Sequence, residues 1–217
     1  MDFAIARRNM VESQLRTNKV TDEDLLSAMR ELPRELFVPA QNRSLAYIDE
    51  DIPVINSRFM MEPMVLARLF QTLQVQQQDS VLVVGSGTGY SAAVASRLAA
   101  SVFALESDAT LLSQANQILT DMAIDNVVAV DGALSEGYAS QAPYNVILVD
   151  GAVETLPQAL LDQLAEGGRL AAVVIDEEGI GRAMLYWKQR GIISHRPLFD
   201  ANVKLLPGFE KKKGFVF

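Results

Sequence analysis

The sequence predicts an α/β fold of Rossmann-like type, a doubly wound and mostly parallel sheet with helices on both faces and an N-terminal helical extension. Two observations favour this class. From about residue 61, short apolar runs alternate with amphipathic segments of helical spacing, which is typical of βαβ units. A glycine-rich turn follows the first apolar run, at the place where open parallel sheets bind nucleotides.

Residues 1–60 are predicted to form the helical extension, packed on the core. Apolar residues recur at helical spacing within residues 3–16. A second helix is expected after Thr21, which precedes a run of acids typical of a first turn, and it should end before Pro33. Residues 61–217 are predicted to form the domain that carries the site.

The main domain is expected to alternate strands and helices. Five strands are predicted at residues 80–84, 101–105, 127–130, 146–149 and 170–175, with helices at 63–73, 91–99, 111–122 and 156–164. Gly167-Gly168 is predicted to end the last of these helices. Right-handed crossovers between these strands give a parallel sheet. Tyr186-Trp187 and Ile192-Ile193 are predicted to pair near the sheet edge, and residues 214–217 to form a last strand.

Composition excludes several classes of function. The 217-residue chain is 49% hydrophobic and has a net charge of −8, which disfavours non-specific nucleic-acid binding because that depends on Lys and Arg. It has no cysteine and one histidine, His195, expected at the surface, so neither a metal site nor a disulfide is predicted. Without a signal peptide or a long apolar run, the expectation is a cytoplasmic protein with no membrane partner.

The glycine-rich turn reads Gly85-Ser86-Gly87-Thr88-Gly89-Tyr90. A dinucleotide fingerprint needs glycine at its first, third and sixth places, and the sixth place here is Tyr90. The pattern therefore favours S-adenosylmethionine over NAD, although the glycines alone also suit an ordinary strand-to-helix turn. The predicted cofactor-binding residues of this turn are Gly85, Ser86, Gly87, Thr88 and Tyr90.

Acidic residues follow the next strands of the predicted sheet. Glu106 ends the second strand about twenty residues after the first glycine, where an acid binds ribose hydroxyls, and Ser107 beside it is also assigned to the cofactor. Asp131-Gly132 follows the third strand, where a carboxylate can accept from the adenine amino group; an ordinary Asp-Gly turn is the alternative. Together these residues strengthen the prediction of S-adenosylmethionine.

Asp150 follows the fourth predicted strand, at the edge expected to face the reacting end of the cofactor. It is a candidate catalytic residue, which could orient the acceptor or take its proton. The alternatives are that it caps the next helix or holds the loop.

Several segments carry a resemblance to a known family. They include residues 8–15 (RNMVESQL), 33–39 (PRELFVP) and 81–91 (VLVVGSGTGYS). Over most of its length the chain resembles the protein-L-isoaspartate O-methyltransferases. The resemblance implies S-adenosylmethionine as cofactor, with Glu106 as the ribose acid and Asp131-Gly132 on the adenine side. It also implies methylation of isoaspartyl carboxylates in damaged proteins, a protein repair activity.

One departure from the family concerns the substrate. The family carries a Gly-Gln-Thr-Ile-Ser segment before a proline, and here residues 57–62 before Pro63 read SRFMME. The threonine and serine places become Phe59 and Met61, and a methionine offers only a weak sulfur acceptor where a hydroxyl could bind a carboxylate. Arg58, beside this apolar segment, is a second candidate catalytic residue.

The substrate prediction therefore stays divided. The leading hypothesis is an isoaspartyl methyltransferase that acts on a protein or peptide. A methyltransferase with another acceptor, such as a small apolar molecule, is the rival, and a non-catalytic cofactor-binding module is the alternative from a different class. An NAD-dependent oxidoreductase is disfavoured by the missing sixth glycine.

Overall fold

The computed structural model describes residues 2–211. Its strands are β1 (Ile52–Pro53), β2 (Phe59–Met60), β3 (Ser80–Val84), β4 (Ser101–Glu106), β5 (Val127–Asp131), β6 (Tyr144–Val153), β7 (Leu164–Ile175), β8 (Gly181–Gln189) and β9 (Ile192–Asp200). Its α-helices are α1 (Phe3–Asn9), α2 (Glu23–Glu31), α3 (Pro63–Leu73), α4 (Tyr90–Ser96), α5 (Ala109–Asp121) and α6 (Gln158–Asp162).

Seven strands form one sheet in the order β5-β4-β3-β6-β7-β8-β9. Neighbours from β5 to β7 pair in parallel, and β8 and β9 add an antiparallel edge. After β3 the chain adds β4 and β5 on one side of it, and then β6 and β7 on the other side. Open α/β sheets form their ligand crevice at such a reversal of direction, here between β3 and β6. The predicted fold class is confirmed.

The central strand β3 is buried on both faces of the sheet. Val81 and Val83 belong to the core cluster on one face, and Leu82 and Val84 to the cluster on the other. Successive side chains point to opposite faces of a strand, so an unbroken apolar run is what two helical layers require. This packing fixes the carboxyl end of β3, from which the glycine turn emerges.

The N-terminal helices pack into the same core as α3. The side chain of Asp2 caps α1, which continues as a π-helical turn at Met10–Leu15. Asp22, rather than Thr21, caps α2, because its carboxylate accepts from the Leu25 N–H. Met10 and Leu25 are both buried in the larger core cluster. The division of the chain at residue 60 stays a prediction.

The predicted helix at residues 156–164 is wrong in extent, since α6 covers only Gln158–Asp162. Gly167-Gly168 lies inside β7, where the pairing register with β6 shifts, and does not end a helix. A Cβ atom on Gly168 would come within 2.9 Å of the Tyr144 carbonyl oxygen, so close backbone packing explains this glycine.

The edge hairpin confirms the predicted pairing after residue 181. Tyr186 lies opposite His195 and Gln189 opposite Ile192, and His195 is exposed as expected. The predicted strand at residues 214–217 lies outside the described part of the chain. Between residues 2 and 211, no helix combines the length and the apolar character that crossing a bilayer demands.

Candidate cofactor and acceptor site

The glycine turn joins β3 to α4 at the carboxyl edge of the sheet. Gly85 and Gly87 have φ angles of +79° and +56°, in the left-handed region that favours glycine. The N–H groups of Gly85 and Ser86 donate to the Leu105 carbonyl oxygen at 2.9 and 3.1 Å. These bonds hold the turn against the end of β4, as the prediction of a ligand site at this edge requires.

Glu106, the last residue of β4, is fully buried beside this turn. Its Oε2 accepts from the Gly87 N–H at 2.8 Å, and its Oε1 accepts from the N–H groups of Ser107 at 2.8 Å and Asp108 at 3.0 Å. Three backbone donors therefore fix the carboxylate at the end of β4, and its role as the ribose acid stays a prediction.

Asp131 and Gly132 lie next to Glu106 at the same edge of the sheet. Asp131 pairs with Glu106 in the β4–β5 ladder, and the Gly132 N–H donates to the Glu106 carbonyl oxygen at 3.3 Å. The Asp131 residue is exposed, so its carboxylate is accessible at the same edge.

Thr88 and Tyr90 contact the N-terminal extension. The Thr88 hydroxyl donates to the Phe37 carbonyl oxygen at 2.6 Å, and the Tyr90 ring lies 4.7 Å from the buried Arg34 guanidinium and 5.3 Å from the Phe37 ring. Their cofactor roles, like that of Ser86, stay predictions. The only sequence signal for Arg34 is its place in the PRELFVP segment, which indicates no role for it.

Asp150 lies inside β6 and does not cap α6, which begins after Pro157 without a side-chain cap. The Ser91 hydroxyl donates to its Oδ2, while its Oδ1 is enclosed and has no partner within residues 2–211. Burial raises the pKa of the Asp150 carboxyl to about 6, although the nearby Arg58 and Arg34 lower it. A carboxyl group with this pKa can exchange a proton near neutral pH.

The raised pKa predicts a pH-dependent cost in stability. The folded chain holds the Asp150 proton more tightly than the unfolded chain, so the free energy of unfolding should fall as pH rises from about 4 to about 6. In Asp150→Asn, the free energy of unfolding should fall by about 1–3 kcal/mol less over this pH range. Urea unfolding of both chains from pH 4 to pH 7 measures it, and parallel curves would contradict the assigned pKa.

Arg58 lies against the ribose acid. Its guanidinium Nη1 contacts the Glu106 Oε1 at 2.6 Å, and its Nη2 donates to the Gly85 carbonyl oxygen at 3.0 Å. The exposed fractions of the two side chains are 5% and 0%, so the ion pair is buried. Arg58 thus contacts the carboxylate that is predicted to bind the ribose, and its own catalytic role stays a prediction.

The apolar residues beside Arg58 fill the core. Met60 and Met61 are buried in the larger core cluster, and Arg34 Nη2 donates to the Met61 carbonyl oxygen at 2.6 Å. Phe59 is partly exposed, with Lys204 Nζ at 5.7 Å from its ring centre. Core filling therefore accounts for the two methionines, as methionine suits irregular gaps.

Acidic residues surround the start of α3. Asp51 accepts from the N–H groups of Glu62 at 2.9 Å and Lys204 at 3.0 Å. Burial, together with Asp49, Asp51 and Glu50, raises the pKa of Glu62 to about 7. The sequence pattern indicates no function for these residues, because their proximity depends on the fold around α3.

The polar groups at the turn fit S-adenosylmethionine, but the space beside Gly85 and Gly151 is filled. A Cβ atom on Gly85 would lie 2.9 Å from a Leu206 methyl carbon and 3.3 Å from Arg58 Nη2, and Leu206 also packs on Gly151. The cavity lined by Arg58, Asp150 and Leu206 measures about 10 Å³. That is room for about one water, whereas pockets for small molecules measure about 300–1,000 Å³. Arg58 and Leu206 would have to move for the cofactor to bind.

Comparison with known proteins agrees with this fold. Residues 6–203 match the family described as protein-L-isoaspartate(D-aspartate) O-methyltransferase. The chain is 39% identical to the protein-L-isoaspartate O-methyltransferase of Koribacter versatilis over 95% of its own length and 92% of that protein. It is also 39% identical to protein-L-isoaspartate O-methyltransferase 1 of Syntrophobacter fumaroxidans, over 81% and 82% of the two chains.

Two solved structures share the fold of this chain. A protein-L-isoaspartate O-methyltransferase superposes with a TM-score of 0.82 at 25% identity, covering 93% of this chain and 66% of that longer one. A chain from Plasmodium falciparum in complex with S-adenosyl-L-homocysteine superposes with a TM-score of 0.80 at 19% identity, over 95% and 99% of the chains. Because the family match spans nearly the whole described structure, this chain belongs to the protein-L-isoaspartate(D-aspartate) O-methyltransferase family.

Proposed function

We propose that this chain binds S-adenosylmethionine at the glycine turn and transfers its methyl group to the carboxylate of isoaspartyl residues in damaged proteins. The observation that carries the proposal is the Glu106 carboxylate, held beside Gly87 at the end of β4 in a chain of this family. The buried carboxylate and the turn lie where such sheets bind a nucleoside.

The proposal gives a role to three residues at the carboxyl edge of the sheet. Glu106 would accept from the ribose hydroxyls, Asp131 would accept from the adenine amino group, and Gly87 would let the backbone approach closely. When bound, the cofactor supplies a methyl group on a positively charged sulfur atom. The protein then mainly positions the acceptor, because holding two reactants in the correct geometry supplies much of the rate acceleration.

Asp150 favours a second candidate, a methyltransferase with a different acceptor. Its carboxyl group lies beside Ser91 near the acceptor edge, and with a pKa of about 6 it is largely ionised at pH 7. A negative charge there repels an anionic acceptor and attracts a cationic one. An isoaspartyl carboxylate would bind best when Asp150 carries its proton, so the proposed activity should rise as pH falls toward 6.

Transfer of a labelled methyl group tests the proposal. The chain is incubated with S-adenosylmethionine labelled in its methyl group and an isoaspartyl peptide, with the same peptide containing normal aspartate as the control. We expect label on the isoaspartyl peptide alone. Binding of S-adenosylhomocysteine without label on either peptide would support a different acceptor or a non-catalytic module. Absence of both binding and transfer would overturn the cofactor assignment.

The proposal includes the protein repair role and the cytoplasmic location expected from the sequence. Cell fractionation, followed with an antibody against the chain, tests the location. Accumulation of isoaspartyl residues in cells that lack the protein tests the repair role.

A further inference from the structure

The segment that carries Arg58 is a β-hairpin that covers the cofactor edge. Strands β1 and β2 pair through Ile52 with Met60 and Pro53 with Phe59. At the tip, Asn56 and Ser57 have φ angles of +48° and +61°, and the Arg58 N–H donates to the Ile55 carbonyl oxygen at 2.8 Å. Two consecutive left-handed residues make a type I′ turn, which fits the twist of paired strands and keeps the hairpin regular.

Two side chains fasten the hairpin to the end of β4 and the start of α5. The guanidinium of Arg58 binds the Glu106 carboxylate and the Gly85 carbonyl oxygen, as described above. At the tip, the Asn56 amide donates to the Asp108 carboxylate at 2.8 Å. Asp108 also caps α5 by accepting from the Thr110 and Leu111 N–H groups. The hairpin is therefore fastened at two places, at Glu106 beside the glycine turn and at Asp108 two residues later.

The Arg58 contact uses the group that the proposed cofactor needs. A bound ribose would donate its hydroxyls to the Glu106 carboxylate, where Arg58 Nη1 now lies 2.6 Å from Oε1. Arg58 Nη2 lies at the surface of Gly85, where a glycine turn lets a ligand approach. Oε1 already accepts from the Ser107 and Asp108 N–H groups, so the guanidinium leaves it no lone pair for a ribose hydroxyl.

We propose that the Ile52–Met60 hairpin is a strap held closed by Arg58, and that the nucleoside must displace Arg58 from Glu106 to bind. The proposal rests on the cofactor assignment of the proposed function. The apparent affinity for the cofactor equals the affinity of the open site multiplied by the fraction of chains in which the strap is open. Arg58 thus lowers the affinity and sets how much cofactor the protein needs.

Removing Arg58 should free the Glu106 carboxylate and leave Leu206 as the remaining side chain that fills the space, without disrupting Glu106, which keeps its three backbone donors. We expect Arg58→Ala to bind S-adenosylhomocysteine about tenfold or more tightly than the natural chain in titration calorimetry. Asn56→Ala, which breaks the contact with Asp108 and strains the turn but leaves Arg58 in place, should give a smaller gain. Arg8→Ala, which removes an exposed arginine on α1, is the matched control and should leave the affinity unchanged.

The outcomes separate this proposal from the proposed function. Binding that is tighter in Arg58→Ala and intermediate in Asn56→Ala supports the strap. Equal or weaker binding in a folded Arg58→Ala chain overturns the strap while leaving the cofactor assignment intact, because Arg58 would then belong to the binding site. If neither the natural chain nor Arg58→Ala binds, both the strap and the cofactor assignment fail. Thermal unfolding of each chain without ligand confirms that the variants are folded.

Discussion

Gly87→Val is expected to abolish binding of S-adenosylhomocysteine. Gly87 has a φ of +56° and no atom within 4 Å of the position its Cβ would take, so the open space beside it is available to a ligand. A valine would fill that space and would strain the backbone whose N–H binds Glu106. We expect affinity to fall by about a hundredfold or more. Titration calorimetry measures it, in the natural chain and in the Arg58→Ala background.

Gly179→Val is the matched control for this prediction. Gly179 has a φ of +81° and equally open space around its Cβ position, and it lies in the turn between β7 and β8, away from the glycine turn. It carries a similar backbone strain, so the two variants should lose comparable stability while only Gly87→Val loses binding. Full affinity in Gly87→Val would remove the turn from the cofactor site.

The parallel sheet could be predicted because its signals are local. The apolar run of β3 and the helical spacing of α3 lie within a few residues of each other, and the strand ends then place Glu106 and Asp131 at one edge. The positions of the strands and their parallel arrangement therefore follow from the pattern alone. The helix predicted at 156–164 failed because a glycine pair looks the same at a helix end and in an irregular strand.

The filling of the site could not be predicted, because it depends on contacts between distant segments. Arg58 is 48 residues from Glu106 along the chain, and no local pattern pairs them. Leu206 comes from a segment after β9 that runs beside the end of β6, where the Leu206 N–H donates to the Ala152 carbonyl oxygen at 2.8 Å. Arg58 is a catalytic candidate from the sequence. Only the fold shows that its guanidinium contacts the Glu106 carboxylate.

Replacing Glu106 by alanine is expected to be among the most destabilising single changes at this edge. It would leave the Arg58 guanidinium, which is 5% exposed, without its carboxylate. Breaking a buried ion pair from one side costs about 3–5 kcal/mol. Arg58→Ala should cost less, about 1–2 kcal/mol, because Glu106 keeps its backbone N–H donors. Urea unfolding of both single variants measures the two costs.

The double variant decides whether Arg58 and Glu106 stabilise each other. If the ion pair closes the strap, the double variant should lose about 1–3 kcal/mol less than the sum of the single changes, as residues in direct contact do. The exposed pair Arg16 and Glu23, joined at 2.8 Å, is the matched control and should show a much smaller coupling because water screens it. Additive costs for Arg58 and Glu106 would mean that the guanidinium leaves the carboxylate in solution. The ribose acid would then be available to the cofactor, and the glycine turn would bind it without opening a strap.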